Sequence, residues 1–216
     1  MPRQFCYVDE VVPSNVRIDL KYCSSDNFVG RPIDGYTRGK RAILRKDAAQ
    51  ALAQAANLLR PMGYGIIVWD AYRPACALQD FYAWSQTDDV STKETFYPNI
   101  TKKGIYEHRY IGLTSEHTWG IAVDITLYHL DTGKEVDMGG RHDLLDPSSA
   151  TDYMGISPIQ QKNRRLLRDT MAKAGLRNYS KEWWHYFLTP KGKVRVYGFP
   201  LNDSLPPAPQ QNAISS

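Results

Sequence analysis

From Lys46 to Leu59 apolar residues recur every three or four positions, at Ala48, Leu52, Ala55, Ala56 and Leu59, and this period predicts a helix. Pro61 and Gly63 end it. A second helix is predicted from Ser157 to about Ala174. Ser157 caps it, Pro158 takes the first helical position, Gln160 completes a capping box and Gly175 supplies a left-handed stop. The run Gly65 to Asp70 is apolar up to its last residue, which marks a strand buried on both faces. Pro74 follows and opens a predicted helix to Trp84. Ala122 to Tyr128 reads as a strand, with a turn at Asp131 to Gly133 and a return over Glu135 to Met138. Val16 to Tyr22 alternates apolar and polar residues, as a half-buried strand does. Glu182 to Leu188 is aromatic-rich and also reads as a strand, with Trp183 and Trp184 on opposite faces.

The segments between are of a different kind. Ser24 to Tyr36 is a long loop of turn formers, and Gln86 to Leu113 is a polar excursion placed to cover a site. Gly139 to Gly155 is irregular, and Pro200 to Ser216, rich in Pro, Gln, Asn and Ser, reads as a mobile tail. Strands come in clusters and do not alternate regularly with helices. The expected fold is therefore α+β: one small domain over residues 1–199, with helices packed on a mainly antiparallel sheet.

Composition narrows the partners. Twenty-seven basic against 23 acidic residues give a net charge of +4, with no basic block interleaved with aromatics, so nucleic acid is not an expected partner. No apolar run approaches the length of a membrane span, and the N-terminus lacks the charge-then-apolar pattern of a secretory leader, so the expected location is cytoplasmic. The three cysteines, Cys6, Cys23 and Cys76, are odd in number and form no Cys-x-x-Cys pair, which predicts reduced thiols. Oligomeric state is left open.

The chemistry concentrates in Ser115 to Asp124 (SEHTWGIAVD) and Glu182 to His185 (EWWH). His117, Asp124 and His185 make up two imidazoles and one carboxylate, a set that binds catalytic zinc with a fourth position open. Any one of them alone suits a structural role. An aspartate inside the apolar run Ala-Val-Asp-Ile-Thr-Leu is harder to place, because a buried carboxylate needs a cation or several donors. The expected geometry puts His117 at the strand mouth, Asp124 on one strand face and His185 on a neighbouring strand, so that the zinc lies at the sheet. Glu182, three residues before His185, is placed to move a proton beside the metal. Arg73 follows the buried strand, positioned either to stabilise an oxyanion or to pair with Asp70. His108, His129 and His142 have no partner at a suggestive spacing and read as surface or structural residues. Tyr64, Trp69 and Tyr72 read as core.

These motifs resemble the zinc D-alanyl-D-alanine peptidases, and within them the D-Ala-D-Ala dipeptidases of the VanX type. The match is carried by SxHxxGxAxD at Ser115–Asp124 and ExWH at Glu182–His185. LKYxxxDNFxG at Leu20–Gly30, PIDGY at Pro32–Tyr36, DAYRP at Asp70–Pro74 and DMG near Met138 add to it. It spans about Val16 to Leu188. The resemblance implies one zinc per chain on His117, Asp124 and His185, with Glu182 as catalytic base and Arg73 steadying the tetrahedral intermediate. It further implies that Asp143, aided by Tyr22, receives the substrate's amino group, while Ser115 and Tyr36 hold its carboxylate. Three features depart from the family pattern: His142 where an apolar residue is more usual, Glu116 in place of a small polar residue, and a longer excursion around Asp88–Tyr110. The implied activity is hydrolysis of the D-alanyl-D-alanine dipeptide. The alternatives are D,D-carboxypeptidase action on peptidoglycan stem peptides, or zinc-dependent binding of such peptides without cleavage.

Overall fold

Residues 46–59 form a helix whose apolar side, Ala48, Leu52, Ala55, Ala56 and Leu59, is buried throughout. The structure, a computed structural model, describes residues 1–36, 41–190 and 192–201. In chain order the elements are strand β1 (Phe5–Tyr7), β2 (Val16–Ile18), β3 (Ile43–Arg45), helix α1 (Lys46–Leu59), β4 (Tyr64–Asp70) and α2 (Ala75–Ser85). There follow the short helices α3 (Lys93–Phe96) and α4 (Lys102–Glu107), then β5 (Ala122–His129), α5 (Pro158–Lys173), β6 (Leu176–Asn178) and β7 (His185–Leu188). This is an α+β arrangement of one five-stranded sheet, a two-stranded β1–β3 ribbon and packed helices.

The five-stranded sheet has the order β2-β4-β5-β7-β6. It is mixed: β2 runs parallel to β4, while the β4–β5, β5–β7 and β6–β7 pairs are antiparallel. The parallel pair follows from connectivity. The chain leaves β2, passes through β3 and α1, and returns in β4, which is the crossover that parallel pairing requires. Helices α1 and α5 pack against each other, with α1 on β4 and α5 on β6. Both β4 and β5 are buried on both faces over nearly their whole length.

Local signals account for most boundaries. At α5 the Ser157 Oγ accepts from the Gln160 N–H, and the Gln160 side chain accepts from the Ser157 N–H. Pro74 sits just ahead of α2 as its N-cap residue. Two expected strands are shorter than the sequence suggests. β2 ends at Ile18, and Lys21–Cys23 closes into a 3-10 turn. β7 begins only at His185; Glu182 to Trp184 form a turn in which the Glu182 N–H donates to Tyr179 and the His185 N–H to Glu182. Trp183 and Trp184 are therefore both buried, and neither faces solvent. The return after β5 is a single bridge, Tyr128 to Glu135.

Two irregular segments are pinned in place. In the loop after β2, the Asn27 amide donates to Ser24 and Arg31 carbonyls and accepts from Val29 and Gly30. Arg31 then grips Asp80 of α2 through two bonds of 2.8 and 2.6 Å. The segment after β5 is held by the buried Arg164, which donates to the Met138, Ser148 and Ala150 carbonyls. Burial pushes that guanidinium down to about 10. Tyr197 and Phe199 pack against the core, and Leu201 is buried and donates its N–H to Gly35; residues 202–216, the rest of the expected tail, lie outside the described residues. Among the described residues Cys6 and Cys76 are free thiols, and no helix is long and apolar enough to cross a membrane.

Candidate active site

β5 and β7 set the geometry. Asp124 lies directly opposite His185 in their antiparallel register, so both side chains leave the sheet on one face. On the other side of β5, a register shift between Val68 and Asp70 brings Asp70 opposite Asp124. A bulge of this kind re-aims a side chain at the end of a ladder. His117 comes from a 3-10 turn, Glu116–Trp119, just ahead of β5. Ser115 caps that turn by accepting from the His117 N–H, and Gly120 closes it with φ +71°.

Three donor atoms converge. His117 Nε2 is 3.1 Å from His185 Nδ1 and 3.3 Å from Asp124 Oδ1, and His185 Nδ1 is 3.0 Å from Asp124 Oδ1. Tetrahedral zinc with bonds of about 2.0–2.1 Å separates its ligand atoms by about 3.3 Å. The triangle of donor atoms therefore has the spacing that zinc at ordinary bond lengths requires. The donor chemistry fits as well. His117 Nδ1 lies 2.6 Å from the Ala71 carbonyl and donates to it, which leaves a lone pair on the converging Nε2. Burial holds His185 below its ordinary value, in the neutral form a metal ligand needs. For Asp124 burial favours the neutral acid, but His117, with His142 and His185, outweighs it and keeps the carboxyl well below the usual range.

The triad sits in the wall of a cavity of ≈ 650 Å³, together with Tyr22, Arg73, Ser115, Asp143 and Glu182. Residues 106 and 109–113 of the polar excursion form another wall of this cavity. Glu182 is 7 % exposed; burial first, then repulsion from Asp124 and Asp143, pushes its carboxyl well above the ordinary glutamate value. Arg73 is also buried. Burial opposes its charge, but acidic neighbours, Asp70 and Asp124 among them, outweigh it and raise its pKa further. Arg73 pairs with Asp70, its Nη2 at 2.8 Å, and lies 3.4 Å from Asp124, while its side chain lines the cavity.

Asp143 adopts φ +59°, a left-handed backbone that aspartate tolerates better than most residues. Its Oδ1 accepts from the Tyr22 hydroxyl at 3.2 Å, whereas its buried Oδ2 has no hydrogen-bond partner. Burial raises its pKa. Tyr36 lies apart from the other expected substrate-binding residues. It is absent from the cavity wall, and its hydroxyl donates to Asp70 Oδ1 at 2.6 Å, behind Arg73. His142 corrects the sequence reading more strongly. It is 4 % exposed, and its Nε2 lies 3.4 Å from both Asp124 and Asp143. No spacing pattern marks it; the one signal was a histidine where an apolar residue is more usual. His108 and His129 stay away from the site.

A family model described as "Peptidase_M15: D-ala-D-ala dipeptidase" matches residues 1–203. The D-alanyl-D-alanine dipeptidase of Streptomyces coelicolor is 41% identical over 203 residues, covering 93% of this chain and 100% of that protein. The enzyme of the same name from Enterococcus faecium is 43% identical over 199 residues, covering 91% and 98%. A solved structure of the LdcB LD-carboxypeptidase is more distant, at 18% identity and a TM-score of 0.47, covering 87% of this chain and 68% of that one.

Proposed function

The chain belongs to the D-Ala-D-Ala dipeptidase family of M15 peptidases, and from that premise we propose how its residues divide the work of hydrolysing D-alanyl-D-alanine to two D-alanines. It is a metallopeptidase. The observation that carries the reading is the donor triangle of His117, Asp124 and His185, which suits one zinc ion per chain. When bound, zinc supplies a Lewis acid that acidifies water and polarises the scissile carbonyl.

The chain's own groups do the rest. Glu182 takes the proton that the attacking water gives up and passes it to the departing amine. Its burial raises its proton affinity, and a cation in the triad lowers it again, which brings the carboxyl toward the working pH. Arg73, fixed by Asp70, donates to the carbonyl oxygen as negative charge builds there. Asp143, held at Oδ1 by Tyr22, offers its unpartnered Oδ2 to the substrate's ammonium group. The Ser115 hydroxyl accepts from the His117 N–H, and its own proton is then free to meet the substrate's carboxylate.

Length selection follows. Asp143 is buried and needs a cation, which only a free amino terminus next to the scissile bond provides. A longer peptide brings a neutral amide to that point and leaves the carboxylate unpaired, at a cost of several kcal/mol. D-Alanine release is expected to be fast from the dipeptide and slow from a pentapeptide ending in D-Ala-D-Ala. The opposite preference would describe a carboxypeptidase with an open site. Glu182→Gln is expected to keep its zinc while losing about 10²–10⁴-fold in turnover; an active variant would remove Glu182 from the reaction.

A further inference from the structure

His142 stands behind the cavity, not in its wall. Its ring packs against Trp69 and Trp184, with centroids at 5.1 and 5.6 Å. Its Nε2 faces two carboxylates, at 3.4 Å from Asp124 Oδ2 and 3.4 Å from Asp143 Oδ1. These are the rear oxygens of each pair. The forward oxygens do the outward work: Asp124 Oδ1 closes the donor triangle, and Asp143 Oδ2 has no other partner. Each rear oxygen has one further contact, Arg73 at 3.4 Å for Asp124 and Tyr22 at 3.2 Å for Asp143. Two buried carboxylates this close repel unless a donor lies between them. With acceptors on that side, the ring proton belongs on Nε2. His142 also borders a second cavity of ≈ 130 Å³, shared with Lys21, Trp69, Thr126 and Trp183, which is roomy enough for water.

We propose that His142 is a positioning residue that shares one Nε2–H between Asp124 and Asp143, fixing the metal-gripping carboxylate relative to the one that receives the substrate's ammonium. The inference rests on the roles given to those two carboxylates above. A single side chain would then set both metal affinity and substrate affinity, although it touches neither metal nor substrate.

The test measures zinc affinity by competition with a chromophoric chelator, and KM for D-alanyl-D-alanine at saturating zinc. His142→Phe keeps a ring and removes the donor. It is expected to weaken zinc binding about 10–100-fold, as loss of a ligand's outer partner does, and to raise KM about tenfold, with more of the loss in KM than in kcat. His142→Gln, whose amide N–H reaches the place of Nε2, is expected to recover most of both. His142→Asn, one carbon shorter, is not. A folded Phe variant with wild-type zinc affinity and KM would overturn the proposal. If the Phe variant does not fold, equal behaviour of the Gln and Asn variants would overturn it. The chelator measurement needs no substrate, so wild-type protein that releases no D-alanine would sink the dipeptidase reading and leave this one still scored.

Discussion

Asp70 shows how a residue outside the cavity can govern one inside it. Its Oδ2 holds Arg73 at 2.8–2.9 Å, and its Oδ1 accepts the Tyr36 hydroxyl at 2.6 Å, all three groups being buried. Tyr36→Phe removes a hydrogen bond to a charged group, a loss of about 2 kcal/mol in stability. The same change loosens Arg73, so kcat is expected to fall while KM for the dipeptide holds. A rise in KM at constant kcat would mean that Tyr36 meets the substrate's carboxylate after all. At this scale the sequence was informative where a residue type conflicts with its setting. Asp124 inside an apolar run called for a cation or several donors, and it lies beside two imidazoles. The Tyr36–Asp70 link carried no such conflict, and His142 carried only its departure from the family pattern. Both depend on segments that only the folded sheet brings together.

At the scale of elements, the turn between His117 and Asp124 determines whether the donors meet. Gly120 closes it at φ +71°, and a Cβ there would come 2.2 Å from Phe5 Cε1. Gly120→Ala combines backbone strain with a clash and is expected to cost on the order of 2 kcal/mol or more, with weakened zinc binding. Gly63→Ala, at φ +82° with nothing within 4 Å, is the control; it carries strain alone, on the order of 1 kcal/mol. Equal denaturation midpoints for the two variants would show that the Phe5 contact is immaterial. Helices were the most legible elements. The three- and four-residue period gave α1 residue for residue, and the cap and stop signals gave α5 to within one residue. Short strands were not legible. β1, β3 and β6 are three residues each, too few for alternation to register. Glu182–Trp184 has strand-like composition but bends, and the bend is what places Glu182 in the cavity wall.

For the whole molecule, the buried acidic cluster ties metal binding to pH and to stability. Burial opposes a charge on His117, but Asp124 outweighs it and raises the imidazole's pKa above its ordinary value. The protonated ring has no lone pair on Nε2 for a metal. Zinc affinity is therefore full above that raised pKa and is lost as pH falls through it. A ligand that binds only the folded chain stabilises it in proportion to log affinity. The upward shift in melting temperature on adding zinc is thus expected to shrink as pH falls through that raised imidazole pKa. A shift independent of pH would place the metal on other donors.

The most direct measurement is the rate of D-alanine release from D-alanyl-D-alanine as zinc is titrated into metal-stripped protein. The predicted result is a linear rise that breaks at one zinc per chain, with His185→Ala flat over the same range. Turnover by the stripped protein at the full rate, or a break at one equivalent in the His185→Ala variant, would contradict the assignment of these residues to a single catalytic metal.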